Sequence, residues 1–180
     1  MKRKTAVLTA LSVLMGLAAG RAWATNTPAN GTVTVTPVAN VSLTLPTTTY
    51  SFGTVDVGVS TVSTAGLTLT NNGQVGVTVN KQITADPSGW TGGTSAGADA
   101  YVLYVATSAA QPAPGSFVSA TQLGAVSNST ALTGTSATTP TLSPTGGGAS
   151  VTLWFKLDMP TTTSSQAQKE ISLRFTGAAQ

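Results

Sequence analysis

The 180-residue chain contains no cysteine and no histidine, and only 7% of its residues are charged. Without cysteine, it forms no disulfide, holds no thiolate metal site and carries no lipid-modified cysteine. Without histidine as well, it lacks the Ser-His-Asp and Cys-His catalytic arrangements and every imidazole metal site. These absences exclude most enzymes that act through an activated nucleophile, and most transition-metal proteins.

Positive charge is scarce in most of the chain. Four of the eight Lys and Arg residues lie within the first 24 residues, and the rest of the chain sets four positive side chains against five negative ones, for a net charge of −1. The sequence pI of about 9.5 therefore reflects the precursor alone. Nucleic-acid binding needs a basic patch or stripe, and four scattered cations do not form one, so we expect no nucleic-acid partner.

The first 24 residues have the three parts of a secretory signal peptide. A basic start at residues 2–4 precedes an apolar stretch at residues 6–19, and Ala22 and Ala24 form a small-x-small cleavage site before Thr25. The apolar stretch is shorter than the roughly 20 residues that a membrane-spanning helix needs. We therefore expect a helical signal peptide, a secreted, extracellular or cell-surface protein with the periplasm as the alternative compartment, and no membrane insertion after signal removal.

Apolar and polar residues alternate with period 2 through most of the remaining chain, as in half-buried β-strands. Eight or nine short strands with turn signals between them predict an all-β fold, an antiparallel β-sandwich of the immunoglobulin-like or jelly-roll-like kind. We expect one domain over residues 25–180, with a loop-rich, low-complexity segment at about 107–148. The predicted core consists of apolar residues on these strands: Val33, Val35, Leu43, Leu67, Leu69, Val77, Val79, Leu103, Val151, Leu153, Phe155, Leu157, Ile171, Leu173 and Phe175.

Several strands can be placed individually. The Asn-Asn-Gly sequence at residues 71–73 is a strong turn signal, so residues 67–80 are predicted to form a hairpin. Residues 101–105 are apolar on both faces, which predicts a central strand covered on each side. Residues 151–159 and 169–176 are predicted to close the domain as two further strands.

Few residues suggest chemistry. The glycines at residues 146–148 lack the Lys and helix of a phosphate-binding loop. Five acidic residues leave a carboxylate pair as the one open catalytic arrangement. Asp86 and Asp99 flank a Gly-rich loop and could together bind calcium, but Asp-Pro and single Asp residues are also common in turns, and we favour the turn interpretation. We predict a protein with no catalytic site, cofactor or metal.

Two tryptophans could serve either to bind a partner or to pack within the fold. On residues 151–159 the odd positions form an apolar face, whereas Trp154 shares the other face with Thr152 and Lys156. An indole among polar residues can bind a partner or a glycan, or it can be covered by the segment at 107–148. Trp90, within the Gly-rich loop, presents the same choice. We favour the structural role for both.

The first predicted strand carries no charge. It consists of Thr32, Val33, Thr34, Val35 and Thr36. Edge strands usually carry Lys, Pro or bulges that prevent pairing with another chain, and this strand has none. It could be donated to the sheet edge of a neighbouring subunit, or it could pair inside its own sandwich.

Residues 50–58 (YSFGTVDVG) and 67–73 (LTLTNNG) resemble the immunoglobulin-like modules of bacterial secreted proteins, of the ASPM/SPD-2/hydin type. This resemblance implies a β-sandwich whose shared residues are structural, without a catalytic site. The signal–strand layout, the turn at 71–73 and the strand at 171–176 are also similar to the camelysin/TasA group. Some members of that group form extracellular fibres by strand exchange. The length, the Thr-rich body and the N-terminal strand are similar to chaperone–usher pilins, although the usual pilin disulfide is absent.

Together these observations predict a secreted, non-catalytic structural or cell-surface protein whose partner is a second copy of itself, in an oligomer or fibre, or another surface protein. The alternative is an extracellular module that binds a glycan or a protein through an exposed Trp154 or Trp90.

Overall fold

The computed structural model of the protein describes residues 32–144 and 149–180. The predicted signal peptide and its cleavage site at Ala22, Ala24 and Thr25 lie outside the described residues. Residues 32–144 and 149–180 contain no helix with the length and hydropathy of a membrane span.

The chain divides into two units, Met1–Pro37 and Val38–Gln180. Of the first unit, residues 32–37 are described, and they are exposed and form neither helix nor strand. Val33 and Val35 are 97% and 86% exposed. The prediction of a strand at 32–36 with two core valines is therefore wrong for this structure, because a period-2 pattern becomes a strand only where a second strand pairs with it.

The second unit contains all twelve strands of the described residues. In chain order they are β1 (Leu43–Thr44), β2 (Ser60–Val62), β3 (Leu67–Asn71), β4 (Val77–Ala85), β5 (Thr91–Gly92), β6 (Ala100–Thr107), β7 (Gln122–Leu123), β8 (Thr130–Ala131), β9 (Thr133–Gly134), β10 (Thr141–Leu142), β11 (Ser150–Asp158) and β12 (Ser172–Ala179). Two single 3₁₀ turns, Pro114–Ser116 and Ser119–Thr121, precede β7. The prediction of an all-β fold is confirmed.

The first sheet is built around β11 and β6. β11 pairs antiparallel with β3 and then β2 along one side, and with β6 along the other. β1 extends the sheet beyond β3. The far side of β6 is lined by the antiparallel strand β7 and by the parallel strands β5 and β9.

The second sheet has β4 at its centre. One side of β4 pairs antiparallel with β12 from Ser172 to Ala179, with a register shift after Ser172. The other side pairs with two short strands, β8 and β10. The two sheets share one apolar cluster, to which β3, β4, β6, β11 and β12 all contribute. Two antiparallel sheets around a common core form the sandwich-like arrangement that the alternation indicated.

β6 is buried on both of its faces, as predicted for a central strand. Tyr101, Leu103 and Val105 belong to the core between the sheets, whereas Val102 and Tyr104 belong to a second cluster on the outer face of the first sheet. The prediction for residues 101–105 is confirmed.

The predicted hairpin at residues 67–80 is wrong, because β3 and β4 belong to different sheets. The fully buried Asn71 side chain turns the chain from one sheet to the other. Its Nδ2 donates to the carbonyls of Val75, Leu142 and Ser143 at 2.9, 3.0 and 3.1 Å, and its Oδ1 accepts the N–H of Gly73 at 2.9 Å. The turn residues were recognised correctly, but a turn signal does not specify whether the strands on either side of it pair.

Candidate functional site

The sandwich has a closed side and an open side. On the closed side, the outer edges of β6 and β4 are lined by short strands from residues 108–144, which we call the covering segment. On the open side lie β1, of two residues, and β12, of eight residues. β12 has β4 as its one ladder partner among the described residues.

The main-chain groups on the free edge of β12 can be identified from those of β4. The carbonyls of Val79 and Ile83 accept N–H groups of the covering segment at 2.7 and 2.9 Å. In an antiparallel ladder the N–H and C=O of one residue point to the same side, so these two residues do not bond to β12. Their partners across the ladder, Gly177 and Leu173, therefore direct their own N–H and C=O away from β4.

By the same alternation, Phe175 and Ala179 direct their main-chain groups to the free edge. This edge has few of the features that usually prevent pairing with another chain. β12 contains no proline and a single charged residue, Arg174, whose guanidinium Nη2 donates to the Gln82 side-chain oxygen at 2.8 Å. The register shift lies at Ser172, at the start of the strand. The rest of β12 is regular, nearly uncharged and open.

The core is less completely covered on the open side. Leu132 and Leu142 of the covering segment are fully buried, whereas Leu173 and Phe175 of β12 and Leu43 of β1 are only partly buried. Inward-facing side chains at the free edge therefore keep part of their apolar surface in water.

Gly177 brings β12 close to the first sheet. A Cβ atom at this position would lie 3.0 Å from Val41 Cγ1 and 3.2 Å from Leu43 Cδ1. The space that a side chain would take at Gly177 is therefore already filled by Val41 and Leu43, which pack against β12 on the open side of the sandwich. Val41 itself is 37% exposed.

Residues 32–36 precede Val41 and Leu43 in the chain, and we call them the N-terminal segment. Every residue from 32 to 40 is exposed, including Val33, Val35 and Val38. Three exposed valines within six residues are unusual, because valine is among the residues most often buried.

Trp154 lies under the covering segment. The ring is 8% exposed and packs in the outer cluster with Val102, Tyr104 and Phe117. Its indole N–H donates to the carbonyl of Ser108 at 3.0 Å. The apolar ring and the indole N–H of Trp154 therefore both have their partners inside the protein.

Trp90 is also 8% exposed, and it belongs to the core between the sheets. Its indole N–H donates to Thr163 Oγ1 at 2.9 Å, and Lys169 Nζ lies 5.5 Å from the ring centroid. The alternative function required an exposed indole at Trp90 or Trp154, and neither ring provides one.

Asp86 and Asp99 each fix a loop through hydrogen bonds. Asp86 Oδ1 accepts the hydroxyl of the buried Tyr101 at 2.6 Å and the N–H of Gly92 at 3.1 Å. Burial, together with the Asp86 carboxylate, raises the pKa of Tyr101 far above its usual value. Asp99 accepts the N–H of Ser164 at 2.7 Å, a bond that lowers the pKa of the carboxyl group.

Sequence reasoning missed a buried lysine. Lys81 occupies a core position of β4 with no solvent exposure, and its Nζ donates to the carbonyls of Ala120 and Ala131 at 3.0 and 3.2 Å. Burial lowers its pKa to about 8. The sequence did contain an indication of this burial. Lys81 follows Val77 and Val79 and precedes Ile83 at alternate positions, which all face the core.

The features that meet in one region are thus the free edge of β12 and the partly exposed apolar side chains beside it, Val41, Leu43, Leu173 and Phe175. They are main-chain and apolar features, suited to binding an extended chain rather than to catalysis. Comparison of the chain with protein-family models, with curated proteins and with solved structures finds no match.

Proposed function

We propose that this chain is a secreted, non-catalytic structural protein of the cell surface that associates with copies of itself by strand exchange. On this proposal it acts after removal of residues 1–24, outside the cytoplasm, as an immunoglobulin-like or jelly-roll-like module. Its partner is a second copy of the chain, and it needs no cofactor.

One observation carries this proposal: the N-terminal segment has the composition of a strand but lies exposed. Val33 and Val35 alternate with threonines, carry no neighbouring charge and are almost fully exposed. Burying a valine side chain stabilises a protein by about 1.5–3 kcal/mol. A partner that covered both valines would gain this free energy together with the main-chain hydrogen bonds of a new ladder.

Glycan or protein binding through a tryptophan has less support. Trp154 and Trp90 are buried, and their indole N–H groups already donate within the protein. A contact with a ligand would require the covering segment or the core to open first.

The experiment measures the assembly state of residues 25–180 by light scattering and electron microscopy over a range of concentrations. We expect oligomers or fibres that grow with concentration. The double variant Val33→Lys/Val35→Lys should stay monomeric with an unchanged melting temperature, because both side chains are exposed in the isolated protein.

The matched control is Thr32→Lys/Thr34→Lys, which adds the same charge on the other face of the segment and should still assemble. A wild-type protein that remains monomeric at every concentration would contradict the proposal. Equal assembly of the valine variant and the threonine variant would show that the N-terminal segment is not the donor.

A further inference from the structure

We propose that the free edge of β12 is the acceptor for the N-terminal segment of a second copy of this chain. This inference rests on the proposed function and assigns its second half, the surface that receives the strand. The ligand is an uncharged, extended peptide with alternating valines, added as a new edge strand to the second sheet.

The main chain provides the first argument. Leu173, Phe175 and Gly177 present N–H and C=O groups along an edge that β4 does not use. A five-residue donor can pair with these groups, since alternate residues of an added strand face its partner. Residues 32–36 contain no proline, so each of them can donate its N–H.

Apolar surface beside the edge provides the second argument. The inward-facing side chains on the open side, Leu43, Leu173 and Phe175, are partly buried rather than fully buried. An added strand places alternate side chains on the inner face of the sheet, and in the N-terminal segment these are Val33 and Val35. The exposed apolar surface of these three side chains and that of the donor would then cover one another.

Charge provides the third argument. The donor carries none, and the one charged residue of β12, Arg174, points to the outer face and is engaged with Gln82. No charge is therefore desolvated along the new ladder. A strand with Lys or Glu at its inward-facing positions would have to desolvate those charges beside Leu173 and Phe175, so the surface favours an uncharged donor.

The other long edges offer no comparable site. β6 and the far side of β4 are already lined by strands of the covering segment, and β1 is two residues long. β12 is the one strand of more than five residues in the described chain whose outer edge is free.

A variant at exposed positions tests the acceptor without altering the core. Thr176→Lys/Ala178→Lys/Ala179→Pro adds charge to the edge and removes one outward N–H, and all three side chains are exposed. Lysine and proline are the residues that natural edge strands use to prevent pairing. We expect at least a tenfold increase in the concentration needed for half-maximal assembly.

The matched control places the same residue types on the closed side, as Ser136→Lys/Thr138→Lys/Ala113→Pro. These positions are exposed, and Ala113 has a φ of −65°, which suits proline. The control should assemble as wild type does. Circular dichroism and the melting temperature of each monomer establish that both variants are folded.

Mixing provides the sharpest result. The edge variant keeps its donor, and the Val33→Lys/Val35→Lys variant keeps its acceptor. At a concentration where wild type assembles but the edge variant does not, each variant alone should be monomeric, and a mixture should form a 1:1 dimer that grows no further. If two folded variants form no dimer when mixed, the proposed pairing of the N-terminal segment with β12 is overturned.

A disulfide trap distinguishes exchange between copies from closure within one copy, and the cysteine-free chain makes the trap specific. The variant Thr34→Cys/Thr176→Cys should link separate chains into a ladder on a non-reducing gel. The control Thr34→Cys/Thr138→Cys should form far fewer links. A linked product of monomer mass would show that the segment closes onto its own edge, which overturns the inference.

The two proposals can fail separately. Monomeric wild-type protein removes the proposed function. Assembly that needs the N-terminal segment but is unchanged in the edge variant keeps the proposed function and removes β12 as its acceptor.

Discussion

The closed and open sides of this sandwich differ in what covers the core. On the closed side the covering segment contributes short strands to both sheets, and its Leu132 and Leu142 have no solvent exposure. On the open side a single eight-residue strand, β12, ends the second sheet, and its Leu173 and Phe175 keep contact with water. The covering segment has the low-complexity composition of a loop, yet it is the part that completes the fold.

This difference indicates that the stability of the folded monomer and the association between chains depend on different sides of the sandwich. A side that is fully covered contributes to folding of the monomer, whereas a regular free edge with exposed apolar surface is the usual origin of pairing between chains. The closed side should therefore dominate the free energy of unfolding, and the open side should dominate assembly. The predictions below test this division, from the largest expected effect to the smallest.

The largest effect is expected from a matched pair of leucines. Leu132→Ala on the closed side should lower the free energy of unfolding by about 3–4 kcal/mol, because the site is fully buried, whereas Leu173→Ala on the open side should cost about 1–2 kcal/mol. Urea unfolding in the monomeric Val33→Lys/Val35→Lys background measures both. Equal losses would contradict the division between the two sides.

Asn71 ties the covering segment to the turn between the sheets. Asn71→Ala should lower the free energy of unfolding by about 2–3 kcal/mol, since it leaves the carbonyls of Leu142 and Ser143 without this donor. Asn72→Ala is the control, because its side chain is exposed and bonds Thr44, and it should cost less than about 1 kcal/mol. Thermal and urea unfolding compare the two variants.

Lys81 makes the closed side sensitive to pH. Its pKa is about 8 in the folded protein against 10.5 when solvated, so the unfolded state binds more protons between these values and stability rises with pH. We expect a gain of about 1–2 kcal/mol from pH 8 to pH 9.5. Well below pH 8, where Lys81 is charged in the folded protein as well, the penalty for the buried charge is fully present.

The pH-dependent gain should disappear in Lys81→Met, which should be more stable than wild type at pH 7 because it buries no charge. Lys169→Met is the control and should keep the gain. Above pH 10 the raised pKa of Tyr101 acts in the opposite direction, because the unfolded state then loses a proton that the folded state keeps. Urea unfolding at a series of pH values between 7 and 9.5 measures the effect.

The smallest effect is expected from salt. The donor and the edge of β12 contain one charged side chain between them, Arg174, so screening has little to act on. Raising NaCl from about 0.05 M to about 0.5 M should change the concentration for half-maximal assembly less than twofold. A tenfold change would indicate that charged residues elsewhere form the interface.

The sequence predicted the long strands better than the short ones. β6 and β11 could be predicted because each has eight or nine residues, enough for the apolar pattern to show which of its faces are buried. The strands of the covering segment have two residues each, and they exist because the edges of β4 and β6 lie beside them. A pattern within one short segment contains no information about such partners.

The same limit applies to the candidate site. The donor composition of residues 32–36 could be read from the sequence, but its acceptor could not, because whether an edge is free depends on the order of strands in the sheet. The turn at Asn71 decides that order by sending the chain to the other sheet instead of into a hairpin. The burial of Lys81 was missed for a different reason. Lysine side chains are normally exposed to solvent, whereas the alternation of apolar and polar residues places position 81 on the core face of its strand.

The pairing of β12 with β4 has a consequence for the timing of folding. These strands pair residues that are far apart in sequence, such as Arg174 and Gln82, which are separated by 92 residues. At about 5–20 residues per second, roughly 5–20 s of synthesis separates the two halves of this ladder. The second sheet cannot close until the last strand has left the ribosome, and such non-local pairing folds slowly. In a nascent chain of this topology the second sheet therefore stays incomplete, and its inner face uncovered, until β12 has been made.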